Sequence, residues 1–148
     1  MRQVLNSNLN ILVEKNEKVA QTFIEAWSAH DSELLATLFD EDCCYEEIAT
    51  GRSFTDKMKI AQYLETTISG IPDSVFIASN VLAGDQMAVV EWIWKGTNSS
   101  GWVDLSIPAT NNRFRLRGIS VMEIEKGLIK RNSDYWDWNS LIQQILRK

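Results

Sequence analysis

Hydrophobic residues in the first half of the chain recur at about the period of a helix. Between Leu12 and Trp27 apolar positions alternate with charged ones in this way, which predicts an amphipathic helix of about four turns. Asp31 is suited to cap a second, short helix, and Thr55 is suited to cap a third that ends near Gly70. Between these two helices, the run Cys43–Ile48 predicts a short strand.

The second half of the chain carries longer runs of strand character. Ser74–Leu82 and Gln86–Lys95 flank one turn, and Phe114–Glu125 is joined to Leu128–Trp138 by another. Both pairs are typical of antiparallel hairpins. A short helix through Leu146 follows. Helices followed by a meander of strands predict an α+β fold, in which the helices cover one face of a strongly curved, mostly antiparallel sheet.

The segment Gly96–Asn112 is longer than an ordinary hairpin connection. Long connections in compact domains are often lids or binding loops, and its four apolar residues, Trp102, Val103, Leu105 and Ile107, argue against disorder. We therefore predict a partly ordered flap, with a short strand of its own as one option. A cover for a subunit interface is an equal alternative.

Length and charge limit the possible partners. The 148 residues, 45% of them hydrophobic, are enough for one well-buried core, so we expect a single domain spanning residues 1–148. A formal net charge of −5 and scattered basic residues leave no face for a phosphate backbone, which makes nucleic acid an unsuitable partner. No segment has the apolar length of a signal peptide or a membrane span. We expect a cytoplasmic protein that does not bind membranes.

The sequence contains no motif typical of a metal or cofactor site. The two cysteines, Cys43 and Cys44, are adjacent and are unsuited to an ordinary mutual disulfide, so buried thiols are expected. A single histidine excludes a histidine-rich metal site. There is no glycine-rich phosphate loop and no serine nucleophile elbow. We predict no metal and no cofactor.

The order of elements resembles the nuclear transport factor 2-like superfamily, a cone-shaped fold, from about Val13 to Leu146. Within it the chain is most similar to the SnoaL-like polyketide cyclase family. The pieces that carry this resemblance are Trp27–Asp31, Asp42–Glu46, Gly96–Thr97, Ile107–Thr110 before Phe114, Arg117–Ser120, and Gly127 followed by Asp134–Asp137. The resemblance implies a pocket enclosed by the curved sheet and the helices. It does not specify an activity, because one fold hosts many chemistries.

The resemblance also implies roles for two positions. In cyclases of this family, an aspartate in the last long strand acts as acid and base for an intramolecular aldol closure, with help from a histidine in the preceding strand. Asp134 matches the aspartate, and Ser120 stands at the position of the histidine. The single histidine of this chain, His30, lies at the end of the first predicted helix instead.

Asp134 is unusual because it lies in a strand-like run where large aromatic residues are expected to pack. Side chains two apart on a strand share a face, so Asn132, Asp134 and Trp136 point together. If Asp134 pairs with Ser120, Met122 belongs to the same inner set. Desolvation in such surroundings raises the pKa of a carboxyl group, as general acid–base catalysis near neutral pH requires. Alternatively, Asp134 accepts hydrogen bonds and only holds strands together.

Tyr45 and Glu46 come from the early strand that often lines the same cavity. A phenol at Tyr45 can donate a hydrogen bond to a developing oxyanion, and a carboxylate at Glu46 can share acid and base roles with Asp134. The alternatives are a wall residue for Tyr45 and a solvated or paired carboxylate for Glu46. Glu47 points away from Glu46 on a regular strand, and it receives no role.

Six tryptophans exceed what a core of this size needs. Trp92 and Trp94 share a strand face and are suited to form an aromatic wall for a flat ligand, with core packing or a dimer face as the alternative. Arg113, Arg115 and Arg117 share one strand face, which is typical of a solvated face or of ion pairs between subunits. Alternatively, Arg117 pairs with an acid. The residues predicted to bind substrate are Trp27, Glu46, Trp92, Trp94, Met122, Asn132 and Trp136.

These observations favour a cofactor-independent enzyme of the cyclase, isomerase or hydrolase kind, acting on a small apolar carbonyl-containing or polycyclic compound. Asp134 is the predicted proton carrier, with Tyr45 and Ser120 as the other catalytic residues. The alternative is a non-enzymatic protein that binds a hydrophobic small molecule in its pocket. A homodimer is also expected, because the outward strand faces include Ile119, Val121 and Tyr135.

Overall fold

The computed structural model describes residues 1–148, and it shows four helices packed on a six-stranded mixed sheet. The helices are α1 (Arg2–Ala29), α2 (Ser32–Thr37), α3 (Lys57–Gly70) and α4 (Trp138–Ile145). The strands are β1 (Phe39–Glu47), β2 (Arg52–Phe54), β3 (Val75–Ala83), β4 (Met87–Thr97), β5 (Arg113–Glu125) and β6 (Leu128–Trp136). The α+β class expected from the sequence is confirmed.

The sheet has the strand order β2-β1-β6-β5-β4-β3. Strands β3 and β4 pair antiparallel, as do β5 and β6, so both predicted hairpins are confirmed. The single parallel pairing joins β1 to β6, which brings the early strand beside the last one. This pairing places residues that are far apart in the sequence next to each other within the sheet.

Two predicted boundaries are wrong for identifiable reasons. Helix α1 begins at Arg2 rather than near Leu12, and its first turns are exposed on all sides, so no buried stripe marks them in the sequence. Asp56, not Thr55, caps α3, because its carboxylate accepts bonds from the backbone N–H groups of Met58 and Lys59. The short strand β2 was not predicted.

The core lies between the inner face of the sheet and helices α1, α3 and α4. Alternate residues of β4 and β5 are buried there, including Trp92, Trp94, Leu116 and Met122. The last two turns of α1 contribute further apolar side chains to the same cluster, among them Trp27. The core therefore contains aromatic rings from both the helices and the sheet.

The segment between β4 and β5, residues 98–112, forms an ordered flap. A short 3₁₀ turn at Val103–Leu105 follows Trp102, whose backbone pairs with that of Ile107. The buried Asn98 side chain donates hydrogen bonds to the Pro108 carbonyl and to the Thr110 hydroxyl, at 2.9 and 3.1 Å. These bonds fold the flap onto itself and place the Trp102 ring over the end of the core.

None of the helices combines the length and the apolar character that crossing a bilayer would require.

Candidate active site

The carboxyl group of Asp134 lies at the centre of the inner sheet face. On β6 it is only 7% exposed, and in the β5–β6 ladder it is the direct partner of Ser120. The pairing of these two residues expected from the sequence is therefore confirmed. Because β1 runs parallel beside β6, Tyr45 reaches the same carboxyl group from the other side.

Three side chains donate hydrogen bonds to the Asp134 carboxylate. The Tyr45 hydroxyl donates to Oδ2, while the Ser120 hydroxyl and the Asn132 amide donate to Oδ1 at 2.6 and 2.8 Å. The Trp92 indole N–H donates to the Ser120 oxygen at 2.9 Å, which orients that hydroxyl toward the carboxylate. The carboxylate is thus held in one position by a network of neutral groups.

Burial and hydrogen bonding have opposite effects on the pKa of Asp134. Desolvation is the larger effect and raises the pKa of Asp134 from 3.8 to about 6, although the bonds from Ser120, Tyr45 and Asn132 oppose the rise. The nearby Glu47 charge raises it further. Burial, reinforced by the Asp134 charge, raises the pKa of Tyr45 well above its ordinary value, so this phenol stays a donor.

A cavity opens beside Asp134 and is lined mainly by aromatic rings. The aromatic lining residues are Phe23, Trp27, Tyr63, Phe76, Trp92, Trp94, Trp102 and Trp136. The volume that the centres of water-sized molecules can occupy inside it is about 30 Å³. This leaves room for water or a very small ligand. A ligand of two rings therefore requires a side chain to move. Trp102 is the wall residue carried by the flap.

All of the predicted site residues except Glu46 fall into two groups by position. Those that line the cavity are Trp27, Trp92, Trp94, Ser120, Asp134 and Trp136. Three others, Tyr45, Met122 and Asn132, are completely buried and do not line it. Tyr45 is linked to the cavity through its hydrogen bond to Asp134, which lines it. Glu46 belongs to neither group.

The placement of Glu46 in the cavity is wrong. Its carboxylate lies on the opposite sheet face, where it accepts bonds from Arg131 at 2.8 Å and Ser133 at 3.0 Å. Successive side chains of a strand point to opposite faces, so Tyr45 and Glu46 cannot line one cavity together. The residue that shares the face of Tyr45 is Glu47.

Glu47 is the second carboxylate of the site, and the sequence interpretation gave it no role. Its side chain is 2% exposed and lines the cavity, and its Cα is the partner of Asp134 in the parallel β1–β6 pairing. The Arg52 guanidinium bonds to it at 2.9 Å, and the Thr50 hydroxyl bonds to it at 2.8 Å. The strand alternation counted from Tyr45 was the signal that could have found it.

Arg52 was also missed, since the three-residue β2 is too short to show a period. Its guanidinium bonds to Glu47 and to the flap residue Asp104, the latter at 2.8 Å, and lies 5.0 Å from the centre of the Tyr63 ring. Arg117, considered from the sequence as an acid partner, is instead exposed in register with Ile93. The cation at this site is therefore Arg52.

A family model described as the SnoaL-like domain matches residues 20–132. The chain belongs to this family. The match includes β1, α3, β3, β4, β5 and the part of β6 up to Asn132, and so ends before Asp134. A comparison with curated protein sequences gives no match.

Solved structures share the fold of this SnoaL-like protein at low sequence identity. A protein from Jannaschia named for SnoaL-like polyketide cyclases superposes with a TM-score of 0.83 at 10% identity, covering 93% of this chain and 95% of its own. A Catenulispora acidiphila protein with a ketosteroid isomerase-like fold, in complex with trimethylamine, gives 0.75 at 18%, covering 86% and 91%. A Kribbella flavida protein named for ketosteroid isomerase gives 0.64 at 21%, covering 84% and 78%. At these identities the likeness establishes the fold.

The arrangement is suited to proton transfer at an apolar substrate. A carboxyl group whose pKa is about 6 can both accept and donate a proton near neutral pH. The aromatic walls keep its surroundings at low polarity. No group of three or more His, Cys, Asp or Glu side chains in the structure has an arrangement that could hold a metal ion.

The position of the Trp92 ring depends on Gly118, its partner across the β4–β5 ladder. A Cβ added at Gly118 would overlap the indole ring. We expect Gly118→Ala to displace Trp92 from Ser120 and to lower the free energy of unfolding by about 1–3 kcal/mol. Urea denaturation measures this change. Gly84→Ala is the control, since its Cβ meets only Met87 at 3.4 Å. Equal stabilities of the two variants would contradict the expectation.

Proposed function

We propose that this SnoaL-like protein is a cofactor-independent acid–base enzyme of the cyclase, isomerase or hydrolase type. Its substrate class is a small, apolar carbonyl-containing compound, and Asp134 is the group that moves the proton. The observation that carries the proposal is a carboxyl group with a pKa near 6, held by three donors beside an aromatic cavity. Such tuning is typical of acid–base catalysts.

In the proposed reaction, the Asp134 carboxylate removes a proton from the carbon next to the carbonyl group. The C–H bond breaks, an O–H bond forms on Asp134, and the electron pair moves onto the carbonyl oxygen as an enolate. If a C=C bond extends the enolate to a dienolate, return of the proton from Asp134 to the far carbon moves the double bond and completes an isomerisation. In a ring closure the enolate carbon forms a C–C bond to a second carbonyl carbon, the C=O π electrons move onto that oxygen, and the resulting alkoxide takes the proton from Asp134. Tyr45 and Ser120 keep the carboxylate aimed at the cavity throughout.

The structural neighbours support a small-molecule ligand. One of them was solved with trimethylamine, and two others are named for polyketide cyclases and ketosteroid isomerase. The limited free space of the closed cavity favours a compact substrate over a large polycyclic one, unless the Trp102 flap moves. Ser120, in place of the histidine that the cyclases use, separates the proposed chemistry from polyketide cyclisation itself.

The second candidate is a pocket protein that binds a hydrophobic molecule without changing it. The absence of any histidine from the cavity lining favours it, since one of the two groups used by the related cyclases is replaced.

Hydrogen exchange separates the two candidates. The protein is incubated in D₂O with a panel of small cyclic ketones, and mass spectrometry follows deuterium at the carbons next to the carbonyl group. An enzyme of the proposed type accelerates this exchange at catalytic concentration. If ketones that bind, as shown by a rise in melting temperature, exchange no faster than in buffer, the carrier function is the correct one.

We further propose that the protein is a homodimer. The outer face of the sheet exposes Tyr135 and leaves Ile119 and Val121 half-buried, and these apolar side chains are adjacent in the β5–β6 ladder. Covering such a face stabilises association. Sedimentation at micromolar concentration is expected to show a dimer, and Val121→Glu is expected to shift it to monomer. A monomeric wild-type protein at that concentration would contradict the proposal.

A further inference from the structure

Two buried indole N–H groups in the cavity wall have no acceptor within the protein, and one of them, that of Trp27, is not accounted for by its packing. Three buried side-chain polar atoms lack a partner: Trp27 Nε1, Trp102 Nε1 and Asn132 Oδ1. Asn132 lies behind Asp134 and does not line the cavity. The Trp102 nitrogen edge is packed against Gly70, where an added Cβ would overlap it. Neither of these two atoms needs a ligand to explain its position.

Trp27 differs from Trp92 and Trp94, two other indoles of the cavity, in its hydrogen bonding. Trp92 donates its N–H to Ser120, and Trp94 donates its N–H to Ser74, both at 2.9 Å. Trp27 is 4% exposed, lines the same cavity, and makes no such bond. Burying a donor without an acceptor costs stability. A donor kept in this state inside a binding cavity is suited to an acceptor that arrives with the ligand.

The position of Trp27 relative to the proton carrier fits this role. Its ring centre is 6.4 Å from that of Tyr45, the residue that bonds directly to Asp134. The rings of Tyr63 and Phe76 pack against Trp27 at 5.5 and 5.4 Å and fix its orientation. Trp27 and Asp134 both line this one cavity, so a small ligand inside it can contact the two residues together.

We propose that the Trp27 N–H donates a hydrogen bond to the carbonyl oxygen of the substrate and stabilises the enolate oxygen that forms when Asp134 removes the proton. This inference rests on the proposed acid–base function and assigns its oxyanion donor. The indole N–H is a donor only, so it favours an oxygen that gains negative charge during the reaction. Trp27 thereby supplies the polarising group that Ser120, occupied by Trp92 and Asp134, does not supply.

The charges around the cavity limit the substrate class further. Two carboxylates, Asp134 and Glu47, line it, and its single cation, Arg52, is already bonded to Glu47 and Asp104. A ligand carboxylate would be repelled by the two acids without a free cation to compensate. The substrate is therefore a neutral ketone, aldehyde or ester with a C–H bond next to the carbonyl group, rather than an acid.

The test compares 1-indanone with indane, which has the same carbon skeleton without the oxygen. Both have two rings and need the same movement of a wall side chain, so the difference between their affinities isolates the carbonyl oxygen. Affinities are measured by calorimetry for the wild type, Trp27→Phe and Trp94→Phe. Removing the Trp27 N–H is expected to weaken the affinity for 1-indanone about tenfold while changing the affinity for indane little. Trp94→Phe removes an N–H that is already bonded to Ser74, so it is expected to change both affinities by the same factor.

A direct spectroscopic measurement accompanies the affinities. With ¹³C at the carbonyl of 1-indanone, the bound resonance is expected to move downfield in the wild type and in Trp94→Phe but much less in Trp27→Phe. In ¹⁵N-indole-labelled wild type, the Trp27 N–H resonance is expected to shift with 1-indanone and not with indane. This measurement uses the wild type alone, so it does not depend on whether a variant folds.

The outcomes separate this inference from the proposed function. If Trp27→Phe keeps the wild-type ratio of the two affinities and the Trp27 resonance does not respond, the donor role is wrong, whatever Asp134 does. If the ratio falls but no ketone exchanges deuterium, Trp27 recognises a carbonyl group in a protein that is not an enzyme. In that case the donor assignment holds for binding, and its part in stabilising an enolate is withdrawn.

Discussion

Replacing Asp134 with asparagine is expected to lower the rate of proton transfer by about 10²–10⁴, the range supplied by a positioned general acid or base. Asparagine keeps the shape of the side chain but cannot take up a proton near neutral pH. The Ser120 and Tyr45 hydroxyls retain one oxygen acceptor, so the cavity is expected to persist. The measurement is the initial rate of deuterium exchange into each ketone that the wild type activates.

Ser133→Ala is the matched control for this substitution. Ser133 neighbours Asp134 on β6, but its hydroxyl donates to Glu46 on the opposite face. Its loss is expected to leave the exchange rate within about twofold of the wild type, because this buried hydroxyl bonds to Glu46 and does not line the cavity. Exchange that survives Asp134→Asn, in a variant whose melting curve remains cooperative, would assign the proton transfer to another group, with Glu47 the nearest candidate.

The sequence predicts those parts of the fold whose burial pattern is local. The β5–β6 hairpin is signalled by Lys126-Gly127, which adopt positive φ of 52° and 78° as a tight turn between twisted strands requires. The pairing of Ser120 with Asp134 needs one thing more, a one-residue register shift beside Ile124, since the turn alone would pair Ser120 with Ser133. The early turns of α1 gave no signal, because periodicity records a buried face and these turns have none.

The missed site residues depend on contacts between distant segments. Glu47 becomes a cavity residue because β1 pairs in parallel with β6, and no local pattern specifies which strands become neighbours. Arg52 follows a turn through Gly51, which has a φ of 72°, and its three-residue strand exists by pairing with β1. The Glu46 error was avoidable, since alternation alone separates it from Tyr45.

The fold should become less stable as pH rises through the titration of Asp134. The folded carboxyl has a pKa of about 6 against an ordinary value of 3.8, so the folded state binds this proton more tightly than the unfolded state. The stabilisation is complete below about pH 3.8, declines between the two values and is absent above about pH 6. At 1.36 kcal/mol per pKa unit, the change amounts to about 3 kcal/mol.

Other carboxylates act in the opposite direction, so the test is a difference between two proteins. The pKa of Asp40, for example, is lowered by a hydrogen bond from the Asp42 backbone and by Lys130, and its contribution is lost on acidification. Such groups are the same in Asp134→Asn and cancel. Between pH 4 and 7, where most of this change falls, urea unfolding should show the wild type losing about 2 kcal/mol relative to the variant. A constant difference would mean that Asp134 titrates alike in both states, and a difference of opposite sign would identify a structural carboxylate stabilised in its charged form.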